Sequence, residues 1–201
     1  MKKRNWIRTI AATAILGTTL LSAAYGKADA AESSYSVKKG DTLWKLSTNS
    51  GVSINKIKHV NNLKNTIIYP GQQLTIPQSL TASEKDLLAR LVTAEAKGEP
   101  YAGQVAVATV VLNRVDSNEF PDSVHDVIYQ NYKGHYAFSP VENGAINQSA
   151  KDEAVKAVNE AIAYRGMGNG SLYFYNPATS TSDWIYSTKT ILTIGHHRFA
   201  K

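Results

Sequence analysis

The stretch DLLARLVTAEAKGEPYAGQVAVATVVLNRV, residues 86–115, decides how the larger part of this chain is built. Its second half sets Val105, Val107, Val110, Val111 and Leu112 around a segment running from about Tyr101 to Val115. β-Branched residues also suit a buried strand, but so long a run without a turn residue reads better as a central helix, apolar all round because it is enclosed. In the first half, Leu87, Leu88, Leu91 and Val92 recur at helical spacing, with Ser83 as the expected cap and Asp86 at its N3 position. Gly98 and Pro100 break that helix and let the backbone open a groove beside it. Glu95 therefore ends a core-facing helix, where partial desolvation would raise its pKa and keep a proton available near neutrality. The same residues also allow a surface Glu95 paired with Arg90 or Arg114. Glu99 is the neighbouring competitor, although Gly98 breaks the register that would align the two carboxylates.

Downstream, Pro121-Asp122-Ser123 predicts the start of a short helix through Val124, Val127 and Ile128. Gly134, Pro140 and Gly144 mark residues 131–148 as mostly loop. A helix is expected from about Ser149 to Tyr164, with Ala154, Ala157, Val158, Ala161 and Ile162 inward and a glycine-rich stop at residues 166–170. Leu172–Tyr175 and Thr190–Ile194 read as extended pieces. Residues 82–201 thus form one mainly helical domain with a short β element.

Upstream, residues 78–81 are a short polar join, and residues 35–77 read as strand, helix, helix, strand. Thr42 and Ser53 are the expected helix caps, and Pro70-Gly71 turns the chain into the closing strand. So small a unit needs nearly every apolar group for its core, which places Trp44, Leu74 and Ile76 inside. The fold class is α+β. At the amino terminus, Lys2, Lys3, Arg4 and Arg8 precede an apolar run from Ile10 to Leu21 and the pattern Ala28-Asp29-Ala30. This is the layout of a secretory signal peptide over residues 1–30, with residues 31–34 a short tail. The apolar run is well short of the roughly 20 residues that span a bilayer, so no stable transmembrane segment is expected after cleavage.

The net charge of +6 is partly a property of that leader, which holds five basic residues and one acidic residue. Its removal leaves 17 basic and 15 acidic side chains, a net of +2, with no basic stripe for nucleic acid. The chain has no cysteine, which excludes disulfides, thiolate metal sites and a cysteine nucleophile. His196-His197 lacks metal-ligand spacing, and no Gly-x-Ser-x-Gly elbow is present, so neither a metal centre nor a serine hydrolase is expected.

Residues 35–77 resemble the LysM module, through YSVKKGDTLW (residues 35–44) and YPGQQLTIP (residues 69–77). That resemblance implies a shallow glycan-binding groove formed by Gly40, Asp41, Thr42 and Leu43 on one side and by Asn61, Asn62, Ile67 and Ile68 on the other. The region from Leu87 to Phe199 resembles the SleB/CwlJ-type cell-wall hydrolases in five ordered blocks: residues 89–100, 103–115, FSPV at 138–141, FYNP at 174–177 and IGHHRF at 194–199. It implies a lysozyme-like fold and cleavage between N-acetylmuramic acid and N-acetylglucosamine, commonly by lytic transglycosylation, with Glu95 as the essential acid. Glu99 becomes the candidate second carboxylate, ahead of Asp116, Glu119, Glu142 and Asp183. Gln104, Phe138, Ser139, Tyr173, Tyr175 and Asn176 become candidate substrate contacts. Asn113 and Arg114 are expected in a structural network on the central helix. The whole reading is of an exported, wall-associated monomer that needs no cofactor and whose partner is the peptidoglycan glycan strand.

Overall fold

The computed structural model describes residues 32–77 and 79–201, and the expected signal peptide lies outside them. In the first unit, β1 (Glu32–Ser36) pairs antiparallel with β2 (Gln73–Pro77), Tyr35 lying opposite Leu74. Two helices, α1 (Leu43–Ser50) and α2 (Ile54–Val60), connect them. Thr42 and Ser53 accept hydrogen bonds from the amides of Lys45 and Lys56, so both helices start where their side-chain caps predict. Leu43, Leu46, Ile54, Ile57, Leu74 and Ile76 fill the space between strands and helices. Trp44 departs from expectation: it is 43% exposed, because it follows Leu43 on α1 and points away from the face that Leu43 and Leu46 bury.

The second unit is built around α4 (Tyr101–Val115), whose Val107, Val110 and Val111 are fully buried. Around it pack α3 (Ala82–Glu95), α5 (Val124–Ile128) and α7 (Asp152–Ala163). The cap of α3 is Thr81, not Ser83: its hydroxyl accepts the Glu84 amide while the Glu84 carboxylate accepts the Thr81 amide. That reciprocal box satisfies two otherwise unpaired amides, which a Ser83 start would not. The segment expected to be mostly loop contains a small hairpin, β3 (Asn131–Tyr132) with β4 (His135–Tyr136), then α6 (Ser139–Glu142) and a 3-10 turn at Ala145–Asn147. Pro140 sits in the first turn of α6, where its missing amide proton costs nothing.

A three-stranded antiparallel sheet completes the unit in the order β5 (Tyr173–Tyr175), β7 (His197–Ala200), β6 (Thr190–Ile194). Its middle strand is the last in the sequence and lies beyond the extended pieces read at Leu172–Tyr175 and Thr190–Ile194. Phe174, Leu192, Ile194 and Phe199 join the core of the helices from this sheet.

The two units share a packed join. Ala163 of α7 is fully buried in the apolar cluster of the first unit, and Lys85 Nζ donates to the carbonyls of Thr48 and Asn49. Gly51, at φ +70°, ends α1 so close to the join that a Cβ would lie 2.6 Å from the Leu80 carbonyl oxygen. A side chain there would push the units apart.

Candidate active site

Glu95 is the last residue of α3, half-buried, with its neighbours Leu91, Val92 and Ala96 in the core. Burial pushes its carboxyl up to about 7, against the opposing pull of the Ser139 amide and the Arg114 guanidinium. The C-terminal end of a helix carries partial negative charge, which disfavours a carboxylate in the same direction as burial. The alternative surface pairing with Arg90 does not form: Arg90 reaches Asp86 at 2.9 Å and the Ile146 carbonyl.

Asn113 and Arg114 form the structural network expected of them, and the charge of Arg114 also acts on Glu95. Arg114 Nε donates to the Leu172 carbonyl at 2.7 Å, and Asn113 Nδ2 donates to the adjacent Ser171 carbonyl, so the central helix holds the approach to β5. The guanidinium carbon lies 5.0, 5.1 and 5.5 Å from the ring centres of Phe120, Phe138 and Tyr173. Burial pulls its pKa down to about 10, which still leaves it cationic at neutrality. A buried arginine within an apolar helix is the signal by which sequence reading could have found it.

Glu99 occupies different surroundings. Its side chain is only 5% exposed and has a partner on each oxygen: the His196 amide donates to Oε2, and His196 Nδ1 lies 3.0 Å from Oε1. Gly98, at φ +82°, turns the chain after α3 and carries Glu99 toward the β6–β7 turn. Two glycines make room for it, since a Cβ on Gly195 would lie 2.1 Å from Oε2 and one on Gly103 would lie 3.2 Å from Glu99 Cβ. Glu99 is thus a clamp between the α3–α4 turn and the sheet. His197, next in the chain, is buried against Phe174 and Phe199.

The remaining candidates divide into faces and supports. Ser139 is exposed at the first turn of α6, its amide directed at Glu95. Tyr173 is half-buried and meets Trp184 edge-on at 5.2 Å; Trp184, 56% exposed, is an aromatic face that sequence reading passed over in a polar loop. Phe138 is buried beneath Arg114 and Phe174, so it supports the site and offers no open stacking face. Tyr175 is likewise buried, edge-on to Tyr186. Asn176 forms a turn, its Oδ1 accepting the Ala178 amide. Gln104 is buried and donates at 3.4 Å to the Glu99 carbonyl, which commits that donor to the turn. Asp116 is held by both Nε and Nη2 of Arg165.

In the first unit, Asp41 accepts from the Tyr35 hydroxyl and the Lys38 amide, and these hydrogen bonds hold its carboxyl below the usual range. Asn61 grips Thr75 through both its oxygen and its nitrogen, a purely internal fork, and Leu43 is core. Gly40, Thr42, Asn62 and Ile67 form the exposed part of the expected groove, with Ile68 half-buried beside them. Among the described residues, no group of three or more His, Cys, Asp or Glu is placed to hold a metal ion. None of their helices is long and apolar enough to cross a membrane.

Residues 98–200 match the family model described as Cell Wall Hydrolase, and residues 35–77 match the LysM domain. The chain is 42% identical over 128 residues to a spore cortex-lytic enzyme of Oceanobacillus iheyensis, and 36% identical over 157 residues to one of Bacillus cereus. These alignments take in 64% and 78% of the chain, which spans only 45% and 59% of those relatives' own lengths. The fold matches the catalytic domain of the germination-specific lytic transglycosylase SleB from Bacillus anthracis, with a TM-score of 0.56 and 41% identity. That match covers all of the solved domain and 63% of this chain, more than lies between Gly98 and the C-terminus.

Proposed function

The chain belongs to the Cell Wall Hydrolase family, and on that footing we propose that it cleaves the glycan backbone of peptidoglycan between N-acetylmuramic acid and N-acetylglucosamine, with Glu95 as the proton donor. The observation that carries this reading is the state of Glu95. A carboxyl raised to about 7 is protonated in a large share of molecules at neutral pH, beside an amide and a guanidinium that can stabilise the anion once the proton has gone.

The reaction begins as Glu95 protonates the glycosidic oxygen and the bond breaks toward an oxocarbenium-like sugar. The leaving sugar departs with that proton as its new hydroxyl. Glu95, now a carboxylate, takes the proton of the muramic 6-hydroxyl as that oxygen bonds to the anomeric carbon. A 1,6-anhydro ring results, and the acid is restored. The sequence can run on one carboxylate, which suits a site where both oxygens of Glu99 are occupied. Plain hydrolysis would instead require a second carboxylate to direct water.

In this reading the LysM-matching unit holds the glycan while the helical unit cuts it, and the protein works outside the membrane on the wall. Mass spectrometry of fragments released from purified peptidoglycan tests the proposal. Anhydro-muramic ends, lost in Glu95→Gln, are expected. Reducing muramic ends would replace transglycosylation by hydrolysis, and products cut at an amide would overturn the glycan reading.

A further inference from the structure

We infer that the helical unit completes the glycan-binding groove of the first unit, with Tyr164 and Met167 forming its far wall opposite Trp44. The inference rests on the proposed role of the first unit as a glycan holder, and it adds a sugar subsite to which neither unit alone supplies both walls.

A cleft of about 380 Å³ lies at the seam, lined by Trp44, Asn55, Lys58 and Thr66 from the first unit and by Tyr164 and Met167 from the second. It is continuous with the expected groove, because Thr42 and Leu43 also line it. Its apolar surfaces are open to solvent: Trp44 is 43% exposed, Tyr164 49% and Met167 57%. A unit as small as residues 35–77 gains stability by burying its tryptophan, yet this one stays open to solvent in a cleft that a second aromatic side chain also lines. The amide of Asn55, the hydroxyl of Thr66 and the ammonium of Lys58 add hydrogen-bonding groups between the two apolar walls. Flat apolar faces with interspersed polar groups fit a pyranose, whose two faces present C–H groups and whose rim presents hydroxyl and acetamido groups.

The far wall is held in place before any ligand arrives. Tyr164 caps the end of α7, its amide donating to the Glu160 carbonyl, and the Met167 amide returns to the Tyr164 carbonyl at 2.9 Å. Between them Gly166, at φ +80°, makes the turn and Arg165 forks onto Asp116 of the neighbouring helix end. Immediately before Tyr164, Ala163 is locked into the core of the first unit. The join therefore fixes the distance between the walls, and the ordering cost of bringing them together is met in folding.

The occupant is an N-acetylglucosamine-containing oligosaccharide. Its binding is measured by calorimetric titration with chitin oligomers, and by co-sedimentation with insoluble peptidoglycan, in a chain carrying Glu95→Gln so that nothing is cut. Tyr164→Ala is expected to weaken oligomer binding about three- to tenfold, the range for one aromatic contact, while Tyr164→Phe keeps the ring and the affinity. Trp44→Ala should weaken binding similarly. An unfolding midpoint unchanged in Tyr164→Ala separates lost contact from lost fold. Full affinity in Tyr164→Ala alongside weakened binding in Trp44→Ala would overturn the shared groove and leave the first unit as a glycan binder. Absence of any oligomer or wall binding by the parent chain would overturn both readings.

Discussion

Glu95 and Glu99 stand four residues apart on either side of one turn, and their surroundings give them opposite properties. Glu95 ends a helix against apolar neighbours, so its charged form is disfavoured and its proton is retained up to about pH 7. Glu99 has an enclosed side chain too, yet it has the His196 amide and ring on its two oxygens and a space cleared by two glycines. Burial alone therefore does not make a reactive acid. A buried carboxyl with a partner on each oxygen serves as a fastening, and one whose desolvation outweighs its partners is held toward its protonated form.

The comparison breaks most directly at Glu95. Glu95→Gln should lower glycan cleavage by about a thousandfold or more, as removal of a general acid does, while the fold survives; turbidity clearing of wall suspensions reads this. The same variant has a second signature. The Glu95 pKa is about 7 in the folded chain and near the ordinary 4.5 of a free glutamate when unfolded, so between these pH values the folded state holds the extra proton. Stability of the parent chain must then fall as pH rises through that window. Glu95→Gln lacks this loss and should be more stable than the parent at pH 8, by roughly 3 kcal/mol at most, in denaturant unfolding. Equal stability of the two chains at pH 5 and at pH 8 would refute the raised pKa.

Glu99→Ala should act in the other direction. It leaves the His196 amide without its acceptor and loosens the β6–β7 turn, at a cost of about 1–3 kcal/mol in unfolding. Cleavage at permissive temperature should fall by no more than about tenfold if both oxygens of Glu99 stay committed to His196. A loss as large as that of Glu95→Gln would restore Glu99 as a second catalytic carboxylate.

Arg114→Met sharpens the contrast in the smallest increment. Arg114 holds the Glu95 pKa down against burial, so its removal should let that pKa rise further. In the parent, kcat/KM on soluble glycan should decline with pH above about 7 as Glu95 loses its proton. In Arg114→Met that decline should begin at higher pH, even as overall activity drops. An unmoved limb would mean that Arg114 only braces the Phe120, Phe138 and Tyr173 cluster.

Much of this was legible in the chain because it depends on neighbours in sequence. The caps at Thr42 and Ser53, the short α5 and the long enclosed α4 each follow from local spacing and composition. The end of α3 at Glu95 follows from Gly98 and Pro100 in the same way. Local reading failed where two local signals competed or where the deciding partner was distant. Ser83 and Thr81 are both reasonable caps, and Glu84 chose Thr81 by returning the hydrogen bond. The strand β7 has only Phe199 and Ala200 as apolar residues, and it is a strand because β5 and β6 flank it.

The candidate site divides along the same line. Sequence by itself determined that an acidic residue closes a core-facing helix, that two units are joined by few residues, and that aromatic and amide side chains accompany them. Only the tertiary structure decided that Glu95 is held toward its protonated form, through burial that outweighs the pull of Ser139 and Arg114, and that Glu99 is fastened to His196, all residues remote in the chain. It also decided which aromatic rings are available, burying Phe138 and Tyr175 while leaving Trp44, Tyr164 and Trp184 open. Exposure is a property of what packs on top of a side chain, and no residue's own identity fixes that.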